Sequence, residues 1–364
     1  MRTYQCIVCS NEYTVRINRF VCDCGGVLCL TPAKALFDVE KIDSGIWSLF
    51  RYHHALPLPS PREWSKLTLG EGMTPLVPVK DHPNVYFKMD YLMPTGSFKD
   101  RGAVMLVAKA VELGAKAIVQ DSSGNAGASV AAYAARASIP CEIFVPASTS
   151  SQKTQQIRAY GAKLTLVDGS REDTARAALQ AALEPGVFYA SHVYNPYFHE
   201  GTKTYVYEVF EQLGGALPDT FIVPVGNGTL LLGIYQGLQD LKDSGLIEML
   251  PRIVAVQSAH CSPIHNRIHK KDQVEAFSPT HAEGIAIADP KRIEQILNAL
   301  RQTGGTSILA PEDKIIPCKE SLSLEGIYVE PTTAATLAAY LSHQYLFSKR
   351  ETIVIPMCGS GLKK

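Results

Sequence analysis

Lys99 stands in the run Pro94-Thr95-Gly96-Ser97-Phe98-Lys99-Asp100-Arg101-Gly102, where a helical pattern begins. At the first turn of a helix the positive dipole end and partial burial both disfavour an ammonium, and a lysine with a lowered pKa can form a Schiff base with a carbonyl. Taken alone, a lysine between Phe and Asp is more often a surface residue. Asp121-Ser122-Ser123-Gly124-Asn125-Ala126-Gly127 follows a strand pattern and opens a second helix, so its hydroxyls, amide and N–H groups would converge on a carboxylate. An ordinary Asn N-cap is the alternative there. Pro224-Val225-Gly226-Asn227-Gly228-Thr229-Leu230 is again strand, Gly-rich turn and helix, a backbone cup for a phosphate. It has neither the lysine and spacing of a P-loop nor a GxGxxG, which disfavours a nucleotide. Met357-Cys358-Gly359-Ser360-Gly361, after the last strand pattern, offers a thiol or hydroxyl beside a turn.

A second chemistry is written at the amino terminus. Five of the nine cysteines fall within the first 29 residues, and Cys6-x-x-Cys9 followed by Cys22-Asp23-Cys24-Gly25-Gly26 supplies two pairs of thiols on short turns. Four sulfurs suit tetrahedral zinc, and such a closed site is structural because no coordination position stays open. Cys29 could take the place of one ligand. In a reducing compartment this clustering argues for a metal rather than a disulfide framework. The segment has few basic residues beyond Arg2, Arg16 and Arg19, so it is expected to pack on the body of the protein.

Positioning these groups requires strand–helix alternation, and the chain shows it from about residue 84. Strands are expected at 84–89, 116–120, 141–145 and 163–167, with helices at 98–113, 125–136, 151–160 and 171–182. A second series has a helix at 202–213, strand 220–225, helix 230–241 and strand 252–257, closing with helices near 291–300 and 331–342 and strand 352–356. That order describes βαβ units around largely parallel sheets, whose ligands sit beyond the carboxyl ends of the strands. The three loops above all occupy that position, and two α/β halves sharing a cleft is the simplest assembly.

Composition bounds the rest. At 364 residues the chain is expected to form two domains and a small appendage. With 35 Lys+Arg against 35 Asp+Glu there is no general attraction to phosphate backbones or anionic lipid, so nucleic acid and membrane are not expected partners. No apolar run of membrane-spanning length and no signal peptide is read, which makes the expected location cytoplasmic.

A reactive lysine, a carboxylate pocket, a phosphate cup and a neutral terminal hydrogen-bonding group together compose a pyridoxal phosphate site. The chain resembles threonine synthases, within the tryptophan-synthase-β-like, fold type II pyridoxal phosphate enzymes. The resemblance runs through the cysteine knuckle, Leu69-Gly70-Glu71-Gly72-Met73-Thr74-Pro75-Leu76, Thr95 to Gly102, Ser122 to Asn125, Asn195-Pro196-Tyr197, Glu200-Gly201-Thr202-Lys203-Thr204, Gly226 to Leu230, Ala282-Glu283-Gly284-Ile285-Ala286 and Val329-Glu330-Pro331. It implies an α/β fold of two open parallel-sheet domains with a zinc-ribbon-like knuckle: knuckle 1–32, a first domain 33–190 with a mobile substrate subdomain, and a second domain 191–364. It implies that Lys99 carries the cofactor, Phe98 lies against its ring, Asn125 bonds its 3′-oxygen, and Gly226, Asn227, Gly228, Thr229 and Leu230 hold its phosphate. Ser122, Ser123, Gly124 and Asn125 would receive the substrate carboxylate, and Cys358 falls where the family places a partner for the pyridine nitrogen. An uncharged partner there favours elimination and replacement reactions, with the released Lys99 as general base. A homodimer is also implied.

The expected reaction is conversion of O-phosphohomoserine to threonine and phosphate. This chain departs from the family in His192-Val193-Tyr194-Asn195-Pro196-Tyr197-Phe198, where Val and Phe replace a hydroxyl and a guanidinium of the phosphate-gripping segment, a substantial loss of phosphate contacts. Ala126 and Gly127 replace Thr and Ser, and Cys358-Gly359 looks more like serine and threonine dehydratases. The alternative is therefore a β-elimination, dehydratase or β-replacement enzyme acting on a serine-like or other unphosphorylated amino acid. His192, Lys203 and Arg101 are the candidates to compensate as phosphate ligands.

Overall fold

A computed structural model describes residues 2–31, 37–57, 64–270 and 277–363. The chain divides into two units, one of residues 1–71 and 99–202, the other of residues 72–98 and 203–363. The division falls in the peptide between Phe98 and Lys99.

The first unit begins with a three-stranded antiparallel sheet in the order β2-β1-β3, made by β1 (Thr3–Cys6), β2 (Glu12–Thr14) and β3 (Leu28–Leu30). Its second sheet is parallel throughout, in the order β8-β7-β6-β9: β6 (Ala117–Gln120), β7 (Cys141–Pro146), β8 (Lys163–Val167) and β9 (Val187–Tyr189). Helices α1 (Lys99–Glu112), α2 (Asn125–Arg136), α3 (Ser151–Ala159), α4 (Arg171–Ala181) and α5 (Tyr197–Thr202) belong with it. Residues 100 to 110 of α1 are all buried, so this helix is packed on every face and lies in the core, where an amphipathic surface helix would not. Gly114, at φ +67°, lies just beyond it, a left-handed position that glycine adopts without strain. α2 buries Ala126 through Ala134, and its small side chains let neighbouring backbones come close.

One apolar cluster joins Tyr4, Cys6, Cys22 and Leu28 of the amino-terminal sheet and its turns to Val104 and Leu106 of α1 and to Phe188 and Phe198. The amino-terminal segment therefore packs on the body of its own unit, as its low basic content suggested.

The second unit is built on a six-stranded sheet in the order β12-β11-β10-β13-β5-β4. Its strands are β4 (Leu76–Val79), β5 (His82–Lys88), β10 (Thr220–Pro224), β11 (Arg252–Ser258), β12 (Thr306–Ala310) and β13 (Ile353–Pro356); only β4 is antiparallel to its neighbour. β10, β11 and β13 are near-continuous apolar runs, the signature of parallel strands covered on both faces. Helices α6 (Thr204–Gln212), α7 (Thr229–Asp243), α8 (Pro263–Ile268), α9 (Ile293–Gln302), α10 (Glu312–Leu324) and α11 (Pro331–Ser342) complete it. Inside this unit Lys88 and Glu208 form a fully buried ion pair, Nζ to Oε2 2.7 Å, and Lys88 also donates to the Thr74 carbonyl at 2.6 Å.

The two units differ from the sequence partition into 33–190 and 191–364. Residues 72–98 go with the second unit because β5 hydrogen-bonds to β13, pairing Val85 through Lys88 with Ile353 through Pro356. Residues 191–202 go with the first because α5 packs on α1. The partition point between 32 and 33 lies outside the described residues.

Candidate active site

In the first unit the loops after β6 and β9 leave the carboxyl edge of two adjacent parallel strands, which places Asp121–Gly124 beside the segment of His192. Gln120 links them. Its Oε1 accepts from the Ser122 N–H at 2.6 Å, leaving its amide nitrogen 3.4 Å from His192 Nδ1. The Ser122–Asn125 loop then folds tightly over the first turn of α2, for a Cβ on Gly127 would lie 1.9 Å from the Ser122 carbonyl oxygen. That contact explains why this chain has glycine there. Gly124, at the head of α2, makes no side-chain cap, so the four half-buried residues Ser122, Ser123, Gly124 and Asn125 present the loop's polar groups at a helix N-terminus.

Lys99 opens α1, as its place before the helical pattern indicated, and is half-buried. Its Nζ lies 5.7 Å from the centre of the Phe198 ring, and His192 stands against the same ring at 5.9 Å. Burial, and next the charge of Lys99, hold the His192 imidazole well below the usual histidine range, so it is neutral at pH 7. The seat of α1 is set by backbone proximity to α5. A Cβ on Gly201 would fall 1.8 Å from the Arg101 carbonyl oxygen, and one on Gly102 would meet the Phe198 ring at 2.4 Å. On its other side Asp100 accepts from Ser129 Oγ of α2 at 2.5 Å, tying the lysine's helix to the helix that follows the Ser122–Asn125 loop.

In the second unit three loops leave one edge of the sheet, since β5, β13 and β10 are neighbouring parallel strands. The first ends at Phe98, whose N–H donates to the Cys358 carbonyl at 2.9 Å, and Ser97 bridges Gly359. Cys358, on the second, is buried, and Gly359 in turn donates to Thr333 Oγ1 of α11 at 3.0 Å. The third loop is the Gly226–Leu230 turn. Gly228 caps α7 at φ +76° and has no side chain to accept from the first-turn N–H groups. Gly226 is crossed by the 284–287 segment, where a Cβ would meet Ile287 at 3.0 Å and the Gly284 carbonyl at 3.2 Å. Such a cup, with backbone donors at the positive end of a fifteen-residue helix, fits a phosphate. Each unit thus groups the residues that the sequence assigned to its loops.

The four cysteines also converge. The Sγ atoms of Cys6, Cys9, Cys22 and Cys24 all lie within 4.8 Å of one another, near the separation of about 3.8 Å that four sulfurs around one tetrahedral ion would show. A Cβ on Gly26 would sit 2.6 Å from Cys6 Sγ, so glycine is required for the turn to close on the sulfur. The Cys22 thiol is drawn down to about 6, chiefly by the Tyr13 hydroxyl 3.0 Å away and next by the Cys24 N–H. Cys29 stands outside this group, its thiol directed to the Gln5 carbonyl at 3.3 Å.

The sequence reading gave no individual role to Gln120, Gly102, Ser129 or the buried Glu71, whose Oε2 accepts from Tyr133 at 2.8 Å and from the Leu69 N–H at 2.9 Å. Glycines inside helices, Gly102 and Gly127 among them, carried the available signal: glycine there is costly unless another backbone or ring must come close.

Largely parallel sheets, with a lysine at the head of one helix and a Gly-rich turn at the head of another, make an α/β protein, and the chain belongs to the pyridoxal-phosphate dependent enzyme family, which it matches over residues 67–359. More narrowly, it is a lyase of the threonine synthase kind. It is 32% identical to the threonine synthase of Methanocaldococcus jannaschii over 99% of this chain and 92% of that one, and 34% identical to the threonine synthase of Bacillus sp. (strain ULM1) over 85% and 88%. Among solved structures, a threonine deaminase from T.th. superposes with a TM-score of 0.68 at 24% identity, covering 83% of this chain and 98% of that one. Maize serine racemase gives 0.66 at 24%, over 79% and 88%. These likenesses show the fold. Among the described residues no helix is long and apolar enough to cross a membrane.

Proposed function

We propose that this enzyme makes threonine from O-phosphohomoserine, eliminating phosphate and adding water, with Lys99 as the residue that carries the cofactor. The observation behind it is the placement of Lys99, half-buried at the head of a fully packed helix and flanked by Phe198 and a neutral histidine. The near full-length likeness to threonine synthases supports the substrate.

Pyridoxal phosphate supplies the electron withdrawal that lets a proton leave the substrate α-carbon. Gly226, Asn227, Gly228, Thr229 and Leu230 would hold its phosphate at the α7 N-terminus, with Phe98 for its ring, Asn125 for its 3′-oxygen and Cys358 for its ring nitrogen. Ser122, Ser123, Gly124 and Asn125 receive the substrate carboxylate at the α2 N-terminus. Lys99 Nζ, once free, would take the substrate's α-proton and return it later in the cycle. The Phe198 ring stands 5.7 Å from that amine. The Cys6, Cys9, Cys22 and Cys24 thiolates hold a structural zinc. The protein works as a cytoplasmic homodimer.

One observation favours a second reading. Phe198 is fully buried against Gly102 and beside Lys99, so the position that resembles a phosphate-gripping arginine holds an apolar ring. An unphosphorylated, serine-like substrate suits that ring better. Purified holoenzyme given O-phosphohomoserine should release phosphate and threonine in equal amounts. Absence of phosphate, with turnover of serine or threonine, would establish the second reading instead.

A further inference from the structure

The amino-terminal knuckle touches the site through a repeated arrangement. Its two buried ligand cysteines are Cys6 and Cys22, while Cys9 and Cys24 are exposed. Two and four residues before Cys6 stand Tyr4 and Arg2, and two and four before Cys22 stand Phe20 and Asn18. All four of these residues reach out of the knuckle. Arg2 Nη1 pairs with Glu200 Oε1 at 2.6 Å, and Tyr4 meets Tyr197 edge-on at 6.3 Å, both on α5. Asn18 Nδ2 donates to the Val187 carbonyl at 2.5 Å, and Phe20 meets Tyr189 edge-on at 5.2 Å, both on β9.

Each target leads onward. α5 carries Gly201 and Phe198, the two residues against which α1 and therefore Lys99 are seated. Tyr189 donates its hydroxyl to Asp121 Oδ1 at 2.9 Å, at the start of the Ser122–Asn125 loop. One ion bound to Cys6 and Cys22 would cross-link the two anchor segments and hold α5 and β9 in one register. Glu200 has 1% of its side chain exposed, so the Arg2 pair is shielded from solvent and salt on that side.

The geometry points to the knuckle as a brace for the active site: Arg2, Tyr4, Asn18 and Phe20 are positioning residues through which metal on the four thiolates and cofactor on Lys99 strengthen each other's binding. The inference rests on the proposed cofactor role of Lys99. Binding linkage is reciprocal, so the factor by which cofactor tightens the metal equals that by which metal tightens the cofactor.

The test is metal affinity, measured by competition with a chromogenic zinc chelator, for the cofactor-free chain and for the chain loaded with pyridoxal phosphate. The wild-type chain should hold zinc about 5-fold or more tightly when loaded, the low end of ordinary couplings between sites. Arg2→Ala combined with Phe20→Ala should still bind one zinc per chain but lose that difference. Equal affinities in the wild type, or a difference that survives the double substitution, would overturn the brace. Should the double variant fail to fold, Asn18→Ala, at an exposed contact, is read for the same loss of difference. A chain that takes up no cofactor overturns the proposed function, whereas cofactor uptake without coupling overturns the brace alone.

Discussion

Glu71 offers a perturbation whose size follows from its surroundings. The side chain is completely buried, and among the described residues no hydrogen-bond partner reaches its Oε1, while Oε2 takes the Leu69 N–H and the Tyr133 hydroxyl. Desolvation is the largest influence, outweighs the hydrogen bonds that favour the carboxylate, and lifts the carboxyl from its ordinary 4.5 to about 7. In the folded chain Glu71 therefore stays protonated up to about pH 7, whereas in the unfolded chain it ionises above about 4.5. The folded state binds the extra proton in that window, so stability from this site is full below pH 4.5, falls as pH rises to 7, and is level above. At about 1.4 kcal/mol per pH unit the fall is about 3 kcal/mol. Glu71→Gln keeps an amide oxygen for the same two donors and has no proton to lose. Urea unfolding of both proteins at a series of pH values should show the variant gaining about 3 kcal/mol on the wild type between pH 4.5 and 7. Parallel stability curves would refute the reasoning, because they would mean that Glu71 titrates alike in both states.

Gly201→Ala should separate α5 from α1, since its Cβ would meet the Arg101 carbonyl oxygen at 1.8 Å, a backbone atom that cannot rotate aside. Overpacking of this kind costs about 1–3 kcal/mol, and the expected result is a lower Tm together with weaker cofactor absorbance. Glu208→Ala removes the carboxylate from Lys88 where both side chains are 0% exposed, and should cost about 3–5 kcal/mol in chemical denaturation. Replacing both residues by apolar ones should cost less than that single change. Cys22→Ser should bring the zinc content of the purified chain, read by elemental analysis, well below one per molecule.

Where the fold was legible, the sequence carried strong physical signals. The short β-branched runs at 117–120, 141–146 and 220–224 and the alanine-rich stretch after Asn125 have the periods of buried strands and a packed helix, and each formed as read. The helix 312–324 was missed because Pro317 interrupts its pattern and polar residues surround it. β12 was missed with it, and β9, only three residues long, gave too brief a run to register. The first unit's site was legible as types of residue, lysine, hydroxyls and amide, but not as a network. Nothing in the spacing of Gln120 and His192, or of Asp100 and Ser129, indicates that they meet, because those meetings depend on which elements are neighbours. The convergence of Cys6, Cys9, Cys22 and Cys24 was readable from spacing alone, whereas the contacts of Arg2, Tyr4, Asn18 and Phe20 with α5 and β9 join positions well over a hundred residues apart.

That Lys99 bears the cofactor is tested most directly by chemical trapping. The holoenzyme is reduced with borohydride, which makes a lysine–cofactor linkage permanent, then digested and mapped by mass spectrometry. Reduced pyridoxyl phosphate is expected on the peptide containing Lys99 and on no other, and none in Lys99→Ala. Label on another lysine, or unchanged label in Lys99→Ala, would contradict the assignment.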